Sequence, residues 1–260
     1  MRRIRLTLQY DGSGFHGWQV QPGVRTVQGE VDAVLSRLAD RPVASIAAGR
    51  TDAGVHATGQ VIGVDMPEKW GPEALLKSLN ALLPGDVWAA DAMSVSPAFH
   101  ARYDAVGRGY VYRVGTSAAA WSPFRRPWCW PVREPLDAAV LQRTAASLPG
   151  AHSFRAYAKA GQPERGYVCT VHHARWMERP AGFELRIVAN RFVHHMVRYL
   201  VGTMIDAARG RRPPSDVAAL LGEGSGVETS PPAPPEGLFL TRVYYANDEL
   251  ETEPDDEDLP

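Results

Sequence analysis

Lysine is almost missing from this chain of 260 residues: Lys69, Lys77 and Lys159 are the only three beside 25 arginines. Cysteine is as scarce, with Cys129 and Cys169 alone, and no metal-ligand spacing joins them. Two thiols allow one disulfide at most and fit a reducing compartment better. No apolar run approaches the ~18 residues of a membrane span. The opening Met1–Tyr10 has no continuous apolar stretch of the secretory kind. Ile4, Leu6, Leu8 and Tyr10 instead alternate with Arg3, Arg5, Thr7 and Gln9, the period of a half-buried strand. These absences predict a cytoplasmic protein with no membrane association.

The charge that is present is segregated. Eight acids and no base fall in residues 248–258, so removing them from a formal net charge of −1 leaves the rest at +7. Arginine's planar fork suits phosphate and stacks on bases. A GC-rich genome would raise arginine equally, so composition permits a nucleic-acid partner without requiring one. The tail 246–260 has too few apolar residues to offset ordering entropy and is expected to be disordered, an aid to solubility.

The order of periodic segments predicts an α+β fold. Helices are expected over Val27–Leu38 with Thr26 as N-cap, from Pro72 with Leu75, Leu76, Leu79, Leu82 and Leu83 on the apolar side, over Leu136–Leu148, and over Phe192–Ala208. Strands are expected at Val43–Ala48, Gln60–Met66, Val87–Met93, Arg108–Val114, Tyr167–Trp176, Phe183–Val188 and Leu238–Tyr245. Helices without regular βαβ alternation argue for one face of a mostly antiparallel, mixed sheet. The rhythm divides the chain into an N-terminal half, 1–103, and a C-terminal half, 104–245, of related build.

Between two expected strands lies Gly49-Arg50-Thr51-Asp52-Ala53-Gly54-Val55-His56-Ala57-Thr58-Gly59-Gln60-Val61. Its glycines let the backbone turn tightly and a ligand approach Asp52 closely. An ordinary loop with Asp52 in an Asx-turn satisfies the same residues. On the last helix Arg191, His194 or His195, and Arg198 are three to four apart and form a polar stripe, which a solvated face explains as well. Neighbours on a helix diverge by about 100°, so His194 and His195 make a poor metal pair. Tyr110 and Tyr112 share one strand face and read equally as core aromatics.

The run 49–61 resembles the signature of the tRNA pseudouridine synthase A family, and it does not stand alone. Similar blocks follow in the family's order: Tyr10–Gln19, Arg25–Glu30, Asn80–Pro84, Phe99-His100-Ala101-Arg102, Arg108–Tyr112, Phe192–Arg198 and Glu236–Leu238. Together they cover roughly 4–245. The resemblance implies two α/β-sandwich halves joined across a central basic cleft, in a homodimer that acts on tRNA. It implies isomerisation of uridine to pseudouridine at positions 38, 39 and 40 of the anticodon stem-loop.

That isomerisation needs neither a redox cofactor nor external energy, and the chain shows no P-loop or dinucleotide fingerprint. By the same resemblance Asp52 is the essential carboxylate, and Arg198 the cation that keeps it ionised. Arg50 takes the space of a flipped base, and Tyr110 stacks on the uracil. Phe99, His100 and Arg102, with Lys159 and Arg165 in a later loop, are the expected RNA contacts. Gly109 departs from the pattern, standing where relatives often carry a basic residue. Two other classes remain: a non-catalytic RNA-binding protein on the same scaffold, which would have lost Asp52 or Tyr110, and a nucleoside glycosidase, which would need a second acid near the first.

Overall fold

The computed structural model describes residues 1–159, 161, 166–222, 226–246, 248 and 250. Most of the tail expected to be disordered lies outside the described residues, as does Arg165. The chain forms two compact units, one of Met1–Val106 with Phe239–Asp248, the other of Gly107–Leu238. The first unit runs through β1 (Arg2–Tyr10), α1 (Val27–Ala39), β2 (Ile46–Ala47), β3 (His56–Met66), α2 (Pro72–Leu82) and β4 (Val87–Ser94). The second contains β5 (Gly107–Gly115), β6 (Trp130–Pro131), α3 (Ala138–Ala146), β7 (Gly150–Ser153), β8 (Val168–Arg179), β9 (Gly182–Ala189), α4 (Met196–Ala208) and α5 (Ser215–Ala219). The last strand, β10 (Leu238–Tyr244), pairs within the first unit. The α+β expectation is met, and the strand pairing is mostly antiparallel.

In the first unit β1 lies between β4 and β3, antiparallel to both. Its alternation sends Ile4, Leu6, Leu8 and Tyr10 into the core. Thr26 caps α1 by accepting from the Gly29 N–H, and Val27, Val31, Leu35 and Ala39 form the buried stripe. Each fully buried leucine of this kind stabilises by about 1.5–3 kcal/mol. Helix α2 begins with Pro72 at its first turn and buries Leu75 and Leu79, whereas Leu82 is exposed and Leu83 follows the helix.

Two expectations change here. Of Val43–Ala48 only Ile46–Ala47 is strand, because side chains satisfy the preceding backbone: Ser36 Oγ accepts from Val43 N, and Asp32 Oδ1 from Ser45 N. Strand β3 starts at His56 rather than Gln60. Parallel pairing with β10 sets Phe239 opposite His56 and Leu240 opposite Ala57, and a partner about 180 residues away leaves no local trace.

In the second unit β9 lies between β5 and β8, with β7 beyond β8 and the two-residue β6 on β5. Asp137 caps α3 through Val140 N, so that helix starts two residues later than expected. The larger correction concerns α4, which starts at Met196, not Phe192. His195 takes the left-handed conformation at φ 66°, and Met196 N closes a turn on the Val193 carbonyl. Arg191, His194 and Arg198 therefore do not form a helical stripe. The helical-divergence argument about His194 and His195 also lapses, since their ring centroids are 4.3 Å apart outside any helix. Both cysteines are free thiols, and among the described residues no helix is long and apolar enough to cross a membrane.

Candidate active site

In the first unit Asp52 sits half-buried in the loop that leads into β3, with Arg50 exposed beside it. The segment after β1 supports this loop from beneath. Trp18 N donates to the Thr51 carbonyl at 3.0 Å, and Gly54 N to the Phe15 carbonyl at 3.2 Å. Gly12 N donates to His56 Nδ1 at 3.1 Å, and the His56 ring stacks on Phe239 at 4.7 Å. Val55 N turns back to the Asp52 carbonyl at 3.2 Å, which closes the loop tip.

Glycine is required at two of these approaches. A Cβ at Gly12 would overlap the Val55 carbonyl, and one at Gly17, where φ is +87°, would come within 2.7 Å of the Thr51 carbonyl oxygen. The DGSGFHGW stretch thus fits its backbone against the Asp52 loop. Arg25 ties the same stretch down, covering the Phe15 ring at 4.1 Å while bonding Asp86 at 2.6 and 2.9 Å and Glu30 at 2.8 Å. The Arg25 guanidinium holds the Asp86 carboxyl below its ordinary range.

Tyr10, at the end of β1, places its hydroxyl 2.8 Å from Thr51 Oγ1 in a buried pair. Burial pushes the phenol up to about 12, with hydrogen bonds to Thr51 and Gln60 acting in the opposite direction. It is therefore a neutral hydroxyl at physiological pH. Gln60 Nε2 donates to the Gly49 carbonyl at 2.9 Å. Neither Tyr10 nor Thr51 was singled out from the sequence. The available signal was an inward-facing tyrosine, since a buried phenol needs a polar partner.

In the second unit successive residues of β5 face opposite ways, so Tyr110 and Tyr112 lie on one face. Tyr110 is half-buried and meets the edge of Phe192 at 4.9 Å, the rings 79° apart. Tyr112 is fully buried and donates its hydroxyl to the Pro234 carbonyl at 2.7 Å. The pair that looked equivalent in sequence thus divides into a core tyrosine and a partly accessible one. Arg198, in the first turn of α4, donates Nε to the Ala233 carbonyl at 2.7 Å, and Ala233 N donates back to the Arg198 carbonyl at 2.9 Å. Burial pushes the Tyr112 phenol well up, and the nearby Arg198 charge partly opposes this.

The expected RNA contacts fall in both units, Phe99, His100 and Arg102 in the first and Lys159 in the second. Phe99 is half-buried against Tyr245 at 5.3 Å. His100 uses Nδ1 locally, accepting from Arg102 N and Tyr103 N at 3.2 Å each. Arg102 is exposed and lies over Tyr103, itself 56% exposed. Lys159 is an exposed side chain whose backbone N–H donates to the His194 carbonyl at 3.0 Å.

Comparison with known proteins places the chain among RNA-modifying enzymes. A family model described as tRNA pseudouridine synthase matches residues 7–104 and 144–246. The tRNA pseudouridine synthase A of Moorella thermoacetica is 41% identical over 244 residues, 93% of this chain and 99% of the relative. That of Geobacillus kaustophilus is 39% identical, covering 95% of this chain and 96% of the relative. The Myxococcus xanthus protein of the same name is 39% identical, covering 94% and 92%.

Proposed function

We propose that this chain, which belongs to the tRNA pseudouridine synthase family, converts uridine to pseudouridine at positions 38, 39 and 40 of the tRNA anticodon stem-loop with Asp52 as its essential carboxylate. The observation that carries the reading is the Asp52 loop. It presents a partly accessible carboxylate on a backbone fastened at several points, inside a segment that the family model matches.

The N1–C1′ bond of uridine breaks, the uracil turns, C5 joins C1′, and the C5 proton is lost while N1 gains one. A carboxylate beside the sugar answers the charge that develops at C1′. The target base must leave its stack, and Arg50, exposed two residues before Asp52, fills the space it vacates. Tyr110 offers the uracil a ring face, an interaction worth about 1–3 kcal/mol per base. Arg198 supplies the cation, while Arg102, His100, Phe99 and Lys159 contact the tRNA. In this division of labour the N-terminal half carries the aspartate and the C-terminal half the tyrosine and arginine. The reading extends, as the resemblance implies, to a cytoplasmic homodimer, which sedimentation equilibrium and cell fractionation test.

The deciding experiment measures tritium release from tRNA labelled at C5 of uridine. Wild type should release tritium, and Asp52→Asn should bind tRNA yet release none. A variant as active as wild type would remove Asp52 from the chemistry.

A further inference from the structure

The Asp52 loop is held by a buried polar cluster whose role the reading above leaves open. Tyr10 and Thr51 are 5% and 6% exposed, and their hydroxyl oxygens are 2.8 Å apart. Gln60, fully buried on β3, donates Nε2 to the Gly49 carbonyl at 2.9 Å. Gly49 and Thr51 flank Arg50, and Thr51 directly precedes Asp52. The Thr51 carbonyl is also bound, by Trp18 N at 3.0 Å. Side chain and backbone of the residue before the carboxylate are therefore both tied to the first unit's core.

Packing accounts for the ring of Tyr10 but not for its hydroxyl. The ring lies 6.2 Å from that of Trp18, in contact range for two aromatics, and phenylalanine would fill the same space. A buried hydroxyl is costly unless bonded. Its partner here is the residue whose planar peptide link leads into Asp52. With that peptide anchored, Asp52 keeps only its own backbone and side-chain rotations. A reacting carboxylate must be held within about 0.5 Å of its productive place.

We infer that Tyr10 is a positioning residue: its hydroxyl, acting through Thr51 and backed by Gln60, sets the direction of the Asp52 carboxylate for the isomerisation. The inference rests on the reading of Asp52 as the essential carboxylate. Tyr10 touches no reacting atom, so its removal should slow the chemical step and leave tRNA binding alone.

Single-turnover tritium release from C5-labelled tRNA, with enzyme in excess, isolates that step, and filter binding gives the tRNA Kd. Tyr10→Phe and Thr51→Val should each lower the rate constant on the order of ten- to a hundredfold, the cost of a misplacement near 1 Å, with Kd unchanged. The double variant should lose no more than the worse single one, because both act through one bond. Thr51→Ser, which keeps the hydroxyl, should restore most of the rate. If Tyr10→Phe does not fold, the Thr51 pair carries the same test. Wild-type rates in Tyr10→Phe and Thr51→Val beside an inactive Asp52→Asn would overturn the inference alone. So would a rate loss matched by loss of folded protein, followed by circular dichroism at the assay temperature. An active Asp52→Asn would instead overturn the reading of Asp52 itself.

Discussion

The two units hold their candidate site side chains by different means. The first carries Asp52 on a loop, held by the backbone of residues 12–18 and by the buried side chains of Tyr10, His56 and Gln60. The second carries Tyr110 on a strand and Arg198 on a helix, whose own hydrogen bonds supply the stiffness. The other face of β5 and β9 buries charge in place of loop contacts. Glu184, 4% exposed, meets Arg186 at 2.9 Å, Arg179 at 3.2 Å and Arg113 at 3.5 Å. A loop-borne group thus depends on specific polar partners, whereas an element-borne group depends on the stability of its unit.

The contrast breaks first at Glu184. Removing a buried charge partner costs about 3–5 kcal/mol. Glu184→Ala should therefore lower the denaturation midpoint of the protein sharply, while the folded fraction turns over tRNA at the wild-type rate. A slowed folded fraction would mean that the second unit too relies on specific contacts to aim its site. Titration to alkaline pH sharpens the first unit's side. The Tyr10 phenol is raised in the folded state to about 12 from an unfolded 10, so its contribution is complete below pH 10 and is lost as pH rises through about 12. Full loss amounts to roughly 2–3 kcal/mol, and chemical denaturation from pH 9 to 12 should show Tyr10→Phe with a shallower decline than wild type.

The smallest effect is expected at Tyr110. Tyr110→Ala forfeits about 1–3 kcal/mol of base stacking, a loss of roughly five- to 150-fold in kcat/KM. Stability should change little, because the ring is only half-buried. If the variant unfolds instead, the Tyr110–Phe192 contact belongs to the core, and the distinction from Tyr112 fails.

Local chemistry made much of this legible in advance. Alternating apolar residues predict β1, and Thr26 with the Val27, Val31 and Leu35 stripe predicts α1, because capping and amphipathic period are short-range effects. The ordered motif blocks led to the family and to Asp52 as the residue to test. Phe192–His195 misled because their apolar spacing continues the α4 pattern backward, and nothing local announces a left-handed His195. Phe99 and His100 read as RNA contacts from the motif, yet their rings also serve contacts inside the unit.

By itself, then, the sequence determined the fold class, the main helices and strands, the family, and which carboxylate to suspect. Those rest on periodicity, caps and contiguous motifs, all written within a few residues of one another. Only the tertiary structure decided where β3 begins, that Tyr112 is core while Tyr110 is half-open, and that Tyr10 and Gln60 reach the residues beside Asp52. Each depends on strands or loops distant in the chain meeting at a set register, and pairing partners at that separation leave no mark on local composition.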